Sequence, residues 1–179
     1  KSLSCESLLI GPLEENAIGI GTRDRLHVAF RTRTADSGLR IEAEFDSGNK
    51  VSFDLGSTSL GMASNAVLAM VVAERCGIDP VAASERLESW TPAPLRGETR
   101  ISAGRLVYVD CYNANPGSMI DAVQAFNALE PLGKPRLFVI GCMEELGRES
   151  SVLHADVGRA WPLCSGDCFA IIGDQAGDL

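Results

Sequence analysis

The pattern of apolar residues changes across one proline-rich stretch, "TPAPLRGE", which runs from Thr91 to Glu98. Before this stretch the segments "LHVAFRTRT", "LRIEAEF" and "KVSFDL" alternate apolar with polar residues, and turn-forming "ADSG" and "DSGN" separate them. This alternation predicts an antiparallel meander with one buried face. After it, the continuous apolar runs "RLVYVD", "RLFVIG" and "CFAIIG" alternate with amphipathic stretches at about 118–129 and 149–161. These runs predict a parallel sheet covered on both faces by helices.

The chain is therefore predicted to be an α/β protein of two domains, residues 1–95 and 96–179, with the proline-rich stretch as the linker. A short strand is expected around Ala17 to Ile20. The first domain also contains "GMASNAVLAMVVAERC", Gly61 to Cys76, which is apolar around most of its circumference and predicts a helix that ends at Gly77. A second helix is expected to begin at Pro80 with Asp79 as its N-cap.

Composition excludes several classes of function. The net charge is −8, and the 16 Lys and Arg residues are scattered, so no patch for nucleic acid or anionic lipid is expected. The apolar runs are too short to insert into a membrane. The six cysteines lack paired CxxC spacing, which favours reduced thiols in a cytoplasmic protein over a disulfide framework. With two histidines in the chain, no metal site is predicted.

Polar side chains follow the first strand of the second domain in "DCYNANPGSM". Ligands of open parallel sheets lie outside the carboxyl ends of the strands, where Asp110 is expected. Its carboxylate can accept hydrogen bonds from a ribose, the Tyr112 ring can stack on a base, and Asn113 and Asn115 can donate or accept. The same residues are equally typical of a turn that caps the helix beginning near Pro116. Spacing alone leaves both interpretations open.

The next strand ends in "GCMEELGRES", which places Glu144 and Glu145 beside the same sheet edge. These glutamates fit a binding loop, but on residue type alone a solvated surface loop is favoured. His154 lies on the following predicted helix, where a lone histidine is more often a hydrogen-bonded packing residue than a catalyst.

Taken together, "DCYNANPGSM", "VIGCMEELGRESSVLH" and "VGRA" closely resemble the C-terminal domain of the Mur ligases, in the branch that adds D-alanyl-D-alanine to a UDP-muramoyl tripeptide. The resemblance extends upstream to Asn65, Gly77 and Arg96 and covers roughly residues 16–179. It implies that residues 1–95 are the tail of a central ATP-binding domain, and that residues 96–179 are an incomplete Rossmann-like ligase domain that closes on ATP.

The resemblance also implies a role for each matching residue. Asn65 would contact adenine, Arg96 a phosphate and Asp110 the ribose hydroxyls, while Tyr112 would pack near the nucleoside. The substrate-binding residues would surround the incoming dipeptide; they are Asn113, Asn115, Met143, Glu145, Leu146 and Gly147. The implied cofactors are ATP and Mg²⁺, the Mg²⁺ ligands lying mostly upstream. The implied reaction forms an acyl phosphate on the tripeptide, which the dipeptide amine then attacks, in the synthesis of peptidoglycan.

The chain departs from the family pattern in three places. No G-x-x-x-x-G-K-[ST] loop occurs in it, so the 179 residues alone are expected to be inactive, with no catalytic residue assigned. Ser59 to Met62 replace a G-R-H-N segment, so that Gly61 and Met62 stand where His and Asn are usual. Cys142 replaces an aspartate. These departures fit either a divergent active ligase or a nucleotide-binding paralogue without catalysis.

The residue pattern is also compatible with other functions. A Mur-type ligase for a different amino acid is possible, although "YNANPGSM" favours the dipeptide branch. A dinucleotide-dependent oxidoreductase fits the α/β pattern, but no G-x-G-x-x-G turn follows the first strand of the second domain.

Overall fold

A computed structural model describes residues 9–13, 17–22, 24–129 and 134–179. The chain divides into two compact units, Lys1–Thr91 and Pro92–Leu179. The N-terminal unit contains five strands and two helices among the described residues; they are β1 (Leu9–Pro12), β2 (Ile18–Gly21), β3 (Leu26–Ala35), β4 (Gly38–Phe45), β5 (Lys50–Leu55), α1 (Leu60–Arg75) and α2 (Pro80–Glu88). The strands form one antiparallel sheet in chain order, so the predicted meander is confirmed.

The alternating residues of the meander place one face of the sheet in a core. In β5, Val51, Phe53 and Leu55 are buried, and the residues between them are exposed. Helix α1 supplies the opposite side of this core through buried residues that include Val67 and Met70. Since β-strand side chains alternate between faces, the register of the whole sheet follows from this pattern.

Helix α1 lies within one residue of the predicted Gly61 to Cys76, and α2 begins at Pro80 as predicted. Ser59 is the N-cap of α1, and its Oγ accepts a hydrogen bond of 2.9 Å from the Met62 N–H. The helix ends at Arg75, ahead of Gly77 in a left-handed conformation. Asp79 caps α2 by accepting from the Val81 N–H, and Pro80 occupies the first turn.

The C-terminal unit contains strands that form two small sheets within the described residues. The elements are β6 (Glu98–Ser102), β7 (Arg105–Val109), α3 (Pro116–Leu129), β8 (Leu137–Gly141), a 3₁₀ turn (Gly147–Glu149), α4 (Ser150–Ala160) and β9 (Cys168–Ile172). Strands β6 and β7 pair antiparallel, and β8 and β9 pair parallel. The α/β class is confirmed. A core of residues from α3, β8 and α4 lies on one side of the parallel pair.

Two expectations for this unit are wrong. Strand β7 pairs with β6, which the sequence did not predict, because Ala103 and Gly104 both adopt positive φ (49° and 73°) and form a tight hairpin turn. The prediction that the parallel strands are covered on both faces also fails for β8. Its buried residues alternate with Leu137 and Val139, which are 66% and 64% exposed. Within the described part of the chain, helices cover a single face of this strand.

A buried ion pair connects the loops around the parallel strands. The Arg136 Nε donates to Asp167 Oδ1 at 3.0 Å, and its Nη2 donates to Oδ2 at 2.5 Å. Arg136 also donates to Asn127 on α3 and to the Pro162 carbonyl, and Asp167 accepts from the Cys164 N–H. These bonds hold the pKa of Asp167 down at about 2, chiefly through the Arg136 guanidinium. The pair therefore fastens α3, β8 and the segment before β9 to one another.

Among the described residues, none of the helices combines the length and the apolar character that crossing a bilayer requires. Five cysteines of the described residues carry free thiols; they are Cys76, Cys111, Cys142, Cys164 and Cys168. Cys5 lies outside the described residues.

Candidate functional site

Asp110 directly follows β7 and is exposed at the carboxyl end of that strand, as predicted. Its carboxylate accepts a hydrogen bond from the Gly97 N–H. Desolvation of the carboxyl group is the main cause that raises the pKa of Asp110 above its ordinary value, and the nearby Asp121 carboxylate adds to this effect. The Arg96 charge and the Gly97 hydrogen bond act in the opposite direction. The site is thus a carboxylate held between a cation and a second acid.

Arg96 and Tyr112 lie in direct contact at this edge. The Cζ atom of the Arg96 guanidinium is 4.0 Å from the centre of the Tyr112 ring, a cation–π arrangement. The backbone beside them is fixed as well, because the Leu95 carbonyl accepts from the N–H groups of Cys111 (3.0 Å) and Tyr112 (3.2 Å). Leu95 adopts a positive φ of 66°, which is strained for a branched side chain. The end of the proline-rich stretch is therefore tied to the loop after β7.

Tyr108 belongs to the same cluster, although its sequence position suggested a strand residue alone. Its hydroxyl is buried and has no hydrogen-bond partner among the described residues. A Cβ atom at Gly97 would lie 3.0 Å from that hydroxyl, so the absence of a side chain there makes room for it. Burial raises the pKa of Tyr108, and the carboxylates of Asp110 and Asp121 raise it further. The hydrophobic pattern of the strand predicts only that the Tyr108 ring packs in a core. It gives no sign of a hydroxyl group without a hydrogen-bond partner beside two carboxylates.

The two asparagines after Tyr112 bond to the backbone locally. Asn115 caps α3, since its Oδ1 accepts from the Ser118 N–H at 3.0 Å, and the Ser118 Oγ in turn accepts from the Asn115 N–H at 3.0 Å. Asn113 Oδ1 accepts from the Ala114 N–H at 2.9 Å. The helix-capping interpretation is confirmed for Asn115. Capping uses the side-chain oxygen, so the NH₂ group of that amide is the part that can reach a ligand.

The segment Met143–Gly147 follows β8 and combines buried anchors with exposed acids. The Met143 side chain is 1% exposed, and Leu146 packs against the same core cluster. Between them Glu144 and Glu145 are exposed. Glu145 adopts a positive φ of 62°, which a residue with a Cβ atom takes at a cost of about 1–2 kcal/mol. The two acids are therefore solvent-exposed on a loop with buried neighbours, and their role in binding stays a prediction.

His154 lies on α4 and is fully buried, with both ring nitrogens bonded. Its Nε2 accepts from the Met143 N–H at 2.9 Å, and its Nδ1 lies 2.7 Å from the Ser150 carbonyl oxygen. The prediction of a hydrogen-bonded packing histidine is confirmed.

The structure brings the two loops of the C-terminal unit to one core cluster. Ala114, from the loop after β7, and Met143 and Leu146, from the loop after β8, belong to the same cluster. Asn65 is exposed on α1 of the N-terminal unit. Its approach to Arg96 and Asp110 around one nucleotide stays a prediction.

The positions that depart from the family pattern have ordinary structural environments. Gly61 and Met62 form the first turn of α1, above the Ser59 cap. The Cys142 side chain lies over Gly173, where an added Cβ would be 2.7 Å from its Sγ. Within the described ranges, no cluster of three or more His, Cys, Asp or Glu side chains could hold a metal ion.

Residues 96–176 match the family model described as Mur ligase, glutamate ligase domain. A UDP-N-acetylmuramoyl-tripeptide–D-alanyl-D-alanine ligase of Escherichia coli is 38% identical over 77 residues, which is 43% of this chain and 16% of that protein. The enzyme of the same name from Bacillus subtilis is 34% identical over 95 residues, 52% of this chain and 21% of that protein. The chain thus spans about a fifth or less of these relatives.

Solved structures agree on the fold. MurF from Acinetobacter baumannii covers 87% of this chain with a TM-score of 0.74 and 25% identity, and the chain covers 34% of it. MurF from Thermotoga maritima, solved in complex with ADP, covers 87% of this chain with a TM-score of 0.69 and 21% identity, and the chain covers 36% of it. Both units of the chain therefore resemble parts of a Mur ligase in fold.

Proposed function

Because residues 96–176 match the Mur ligase family model, we propose that the protein containing this chain is an ATP-dependent ligase that joins D-alanyl-D-alanine to a UDP-N-acetylmuramoyl tripeptide. The terminal carboxylate of the tripeptide takes the γ-phosphoryl group of ATP, so that an acyl phosphate forms and ADP leaves. The amine of the dipeptide then attacks the acyl carbon, an amide bond forms, and inorganic phosphate leaves. The product would enter peptidoglycan synthesis in the cytoplasm.

The observation that carries the proposal is the cluster at the end of β7. There the Arg96 charge acts on the Asp110 carboxylate, the Arg96 guanidinium lies over the Tyr112 ring, and the neighbouring Gly97 N–H donates to Asp110. An exposed carboxylate can accept both hydroxyls of a ribose, and a guanidinium matches a phosphate through charge and paired donors. The three residues thus offer the chemical groups that a nucleoside phosphate requires.

The Arg96 guanidinium is suited to phosphate because its position is prepared before binding. The Tyr112 ring lies against one face of the guanidinium. The carbonyl of Leu95, which precedes Arg96, accepts from the N–H groups of Cys111 and Tyr112. A side chain held in place loses less conformational entropy when it binds a ligand. Asn65, on α1, is proposed to contact adenine in the complete protein.

The loop Met143–Gly147, together with Asn113 and Asn115, is proposed to receive the dipeptide. D-Alanyl-D-alanine carries an ammonium group and a carboxylate, so its site needs an acceptor and a donor. The exposed Glu145 carboxylate can accept from the ammonium, and the Asn115 NH₂ group can donate to the carboxylate. Among the described residues, no group of three or more His, Cys, Asp or Glu side chains could hold the Mg²⁺ that the resemblance implies.

The proposal predicts selective loss of ATP use when the β7 cluster is altered in the full-length protein. Asp110→Ala and Arg96→Ala each remove a charge-assisted contact, which costs about 1.5–3 kcal/mol and should raise the KM for ATP by about 10- to 100-fold. Arg100→Ala, which removes an exposed arginine of β6, is the matched control and should leave the KM unchanged. ATP kinetics that are the same in both site variants and the control would contradict the site. Nucleotide binding without turnover would instead support a non-catalytic paralogue.

A further inference from the structure

We propose that His154 is a positioning residue that holds the Met143–Gly147 loop in the shape that receives the dipeptide. The inference rests on the proposed function for the identity of the ligand. It stands on the geometry of one side chain and two backbone groups. His154 itself is 0% exposed, so it acts through the loop and not by touching substrate.

The backbone partners of His154 assign its protonation state. The Met143 N–H can only donate, so the Nε2 atom facing it at 2.9 Å must be the unprotonated acceptor. The Ser150 carbonyl can only accept, so the Nδ1 atom at 2.7 Å must carry the proton. The imidazole is therefore neutral with its proton on Nδ1. An imidazolium would place two N–H groups against each other at Nε2.

The contact closes the loop across its base. The loop leaves β8, passes through Glu144 and Glu145, turns at Gly147 and enters α4, which carries His154 back to Met143. The neighbouring Cys142 N–H is bonded to the Ile172 carbonyl at 3.0 Å, so the residue before Met143 is fixed to the end of β9. His154 is the link that joins the beginning of the loop to the helix after it.

The strained conformation of Glu145 needs such a link. With φ at 62°, this residue persists only where the surrounding structure holds it. If the Nε2 acceptor is removed, the buried Met143 N–H loses its partner and can recover one only by moving toward water. That movement would let Glu145 leave its left-handed conformation, and the carboxylate would no longer face the ligand in one orientation.

The test uses the full-length protein with two variants of His154. His154→Leu removes both ring nitrogens, while His154→Gln keeps an oxygen that can accept from the Met143 N–H. We expect His154→Leu to raise the KM for D-alanyl-D-alanine about tenfold, the factor that corresponds to about 1.4 kcal/mol, and to leave the KM for ATP unchanged. His154→Gln should restore most of the difference. The matched control is His27→Leu, which removes the other buried histidine, in the N-terminal unit, and should leave both KM values unchanged.

Unchanged KM for the dipeptide in a folded His154→Leu variant would overturn the proposal. So would a loss confined to kcat that His154→Gln fails to rescue, since that pattern indicates a role in the fold alone. If His154→Leu does not fold, His154→Gln and the next measurement decide.

Nitrogen NMR of the unaltered protein reads the histidine tautomer directly, without any substrate. A proton on Nδ1 is expected, and a proton on Nε2 would overturn the geometry. Hydrogen exchange over residues 142–149 should be faster in His154→Leu than in the unaltered protein, and His154→Gln should restore most of the protection. If only the proposed function is wrong, the protein will show the expected tautomer and exchange protection. It will then consume no ATP in the presence of tripeptide and dipeptide.

Discussion

Replacing Asp167 by Asn tests how the C-terminal unit is held together. The side chains of Arg136 and Asp167 are 4% and 2% exposed, and two hydrogen bonds join them. The pKa of Asp167 falls from an ordinary value of 3.8 to about 2 in the folded state. At about 1.36 kcal/mol per pKa unit, the ionised carboxylate contributes about 2 kcal/mol to the free energy of unfolding at pH 7.

The sign of the pH dependence follows from the depressed pKa. Between about pH 4 and pH 2 the unfolded chain binds a proton at Asp167 that the folded chain does not, so stability falls as pH falls through this window. The contribution is complete above about pH 5, about half of it remains at pH 3, and it is lost below about pH 2. Asp167→Asn should therefore cost about 2 kcal/mol or more at pH 7, and the difference from the unaltered chain should shrink at pH 3.

Urea unfolding followed by tryptophan fluorescence provides the assay. The chain has two tryptophans, so a Trp90→Phe background leaves Trp161 as the reporter on the C-terminal unit. Asp156→Asn is the matched control, because its pair with Arg159 is exposed and should contribute less than about 1 kcal/mol. Equal stability of Asp167→Asn and the control at pH 7, or a difference that does not shrink at pH 3, would refute the reasoning.

Two further substitutions test the site residues. Tyr112→Leu in the full-length protein removes the ring beneath Arg96 and should raise the KM for ATP about two- to fivefold, since an exposed cation–π contact contributes about 0.5–1 kcal/mol. Tyr112→Phe keeps the ring and should leave this KM unchanged. Equal effects of the two variants would show that the ring contact is not used. Glu145→Gly relieves the positive φ and should leave stability equal or raise it by up to about 1 kcal/mol in urea unfolding, while the KM for the dipeptide rises. A clear loss of stability would indicate that Glu145 is not strained.

Local patterns predicted the N-terminal unit well because its elements are encoded by neighbouring residues. The alternation in β3, β4 and β5 specifies a one-sided sheet, and the caps at Ser59 and Asp79 begin the helices. The C-terminal unit was predicted less completely. The continuous apolar run "RLVYVD" is compatible with a strand of a parallel sheet and with the antiparallel pairing to β6 that the structure shows. Ala103-Gly104, which forms the turn between β6 and β7, is a weak turn signal.

The candidate site was predicted in its residue types but not in its contacts. The motif around Asp110 identified the edge of the sheet, and the structure confirms that this residue is exposed there. The stacking of Arg96 on Tyr112 and the burial of the Tyr108 hydroxyl depend on the backbone at Leu95 and Gly97, which adopt positive φ. Tertiary geometry of this kind leaves no periodic trace in a sequence. The sequence likewise carries no sign of the hydrogen bond that the His154 Nε2 accepts from the Met143 N–H.

We propose that the complete protein is a dipeptide-adding ligase. The most direct measurement incubates the purified full-length protein with ATP, UDP-N-acetylmuramoyl tripeptide and D-alanyl-D-alanine, and follows the products by mass spectrometry. We expect a UDP-N-acetylmuramoyl pentapeptide formed in equal amount to ADP and inorganic phosphate, and no product when the dipeptide is omitted. Full consumption of ATP with a single amino acid in place of the dipeptide, or no pentapeptide under any of these conditions, would contradict it.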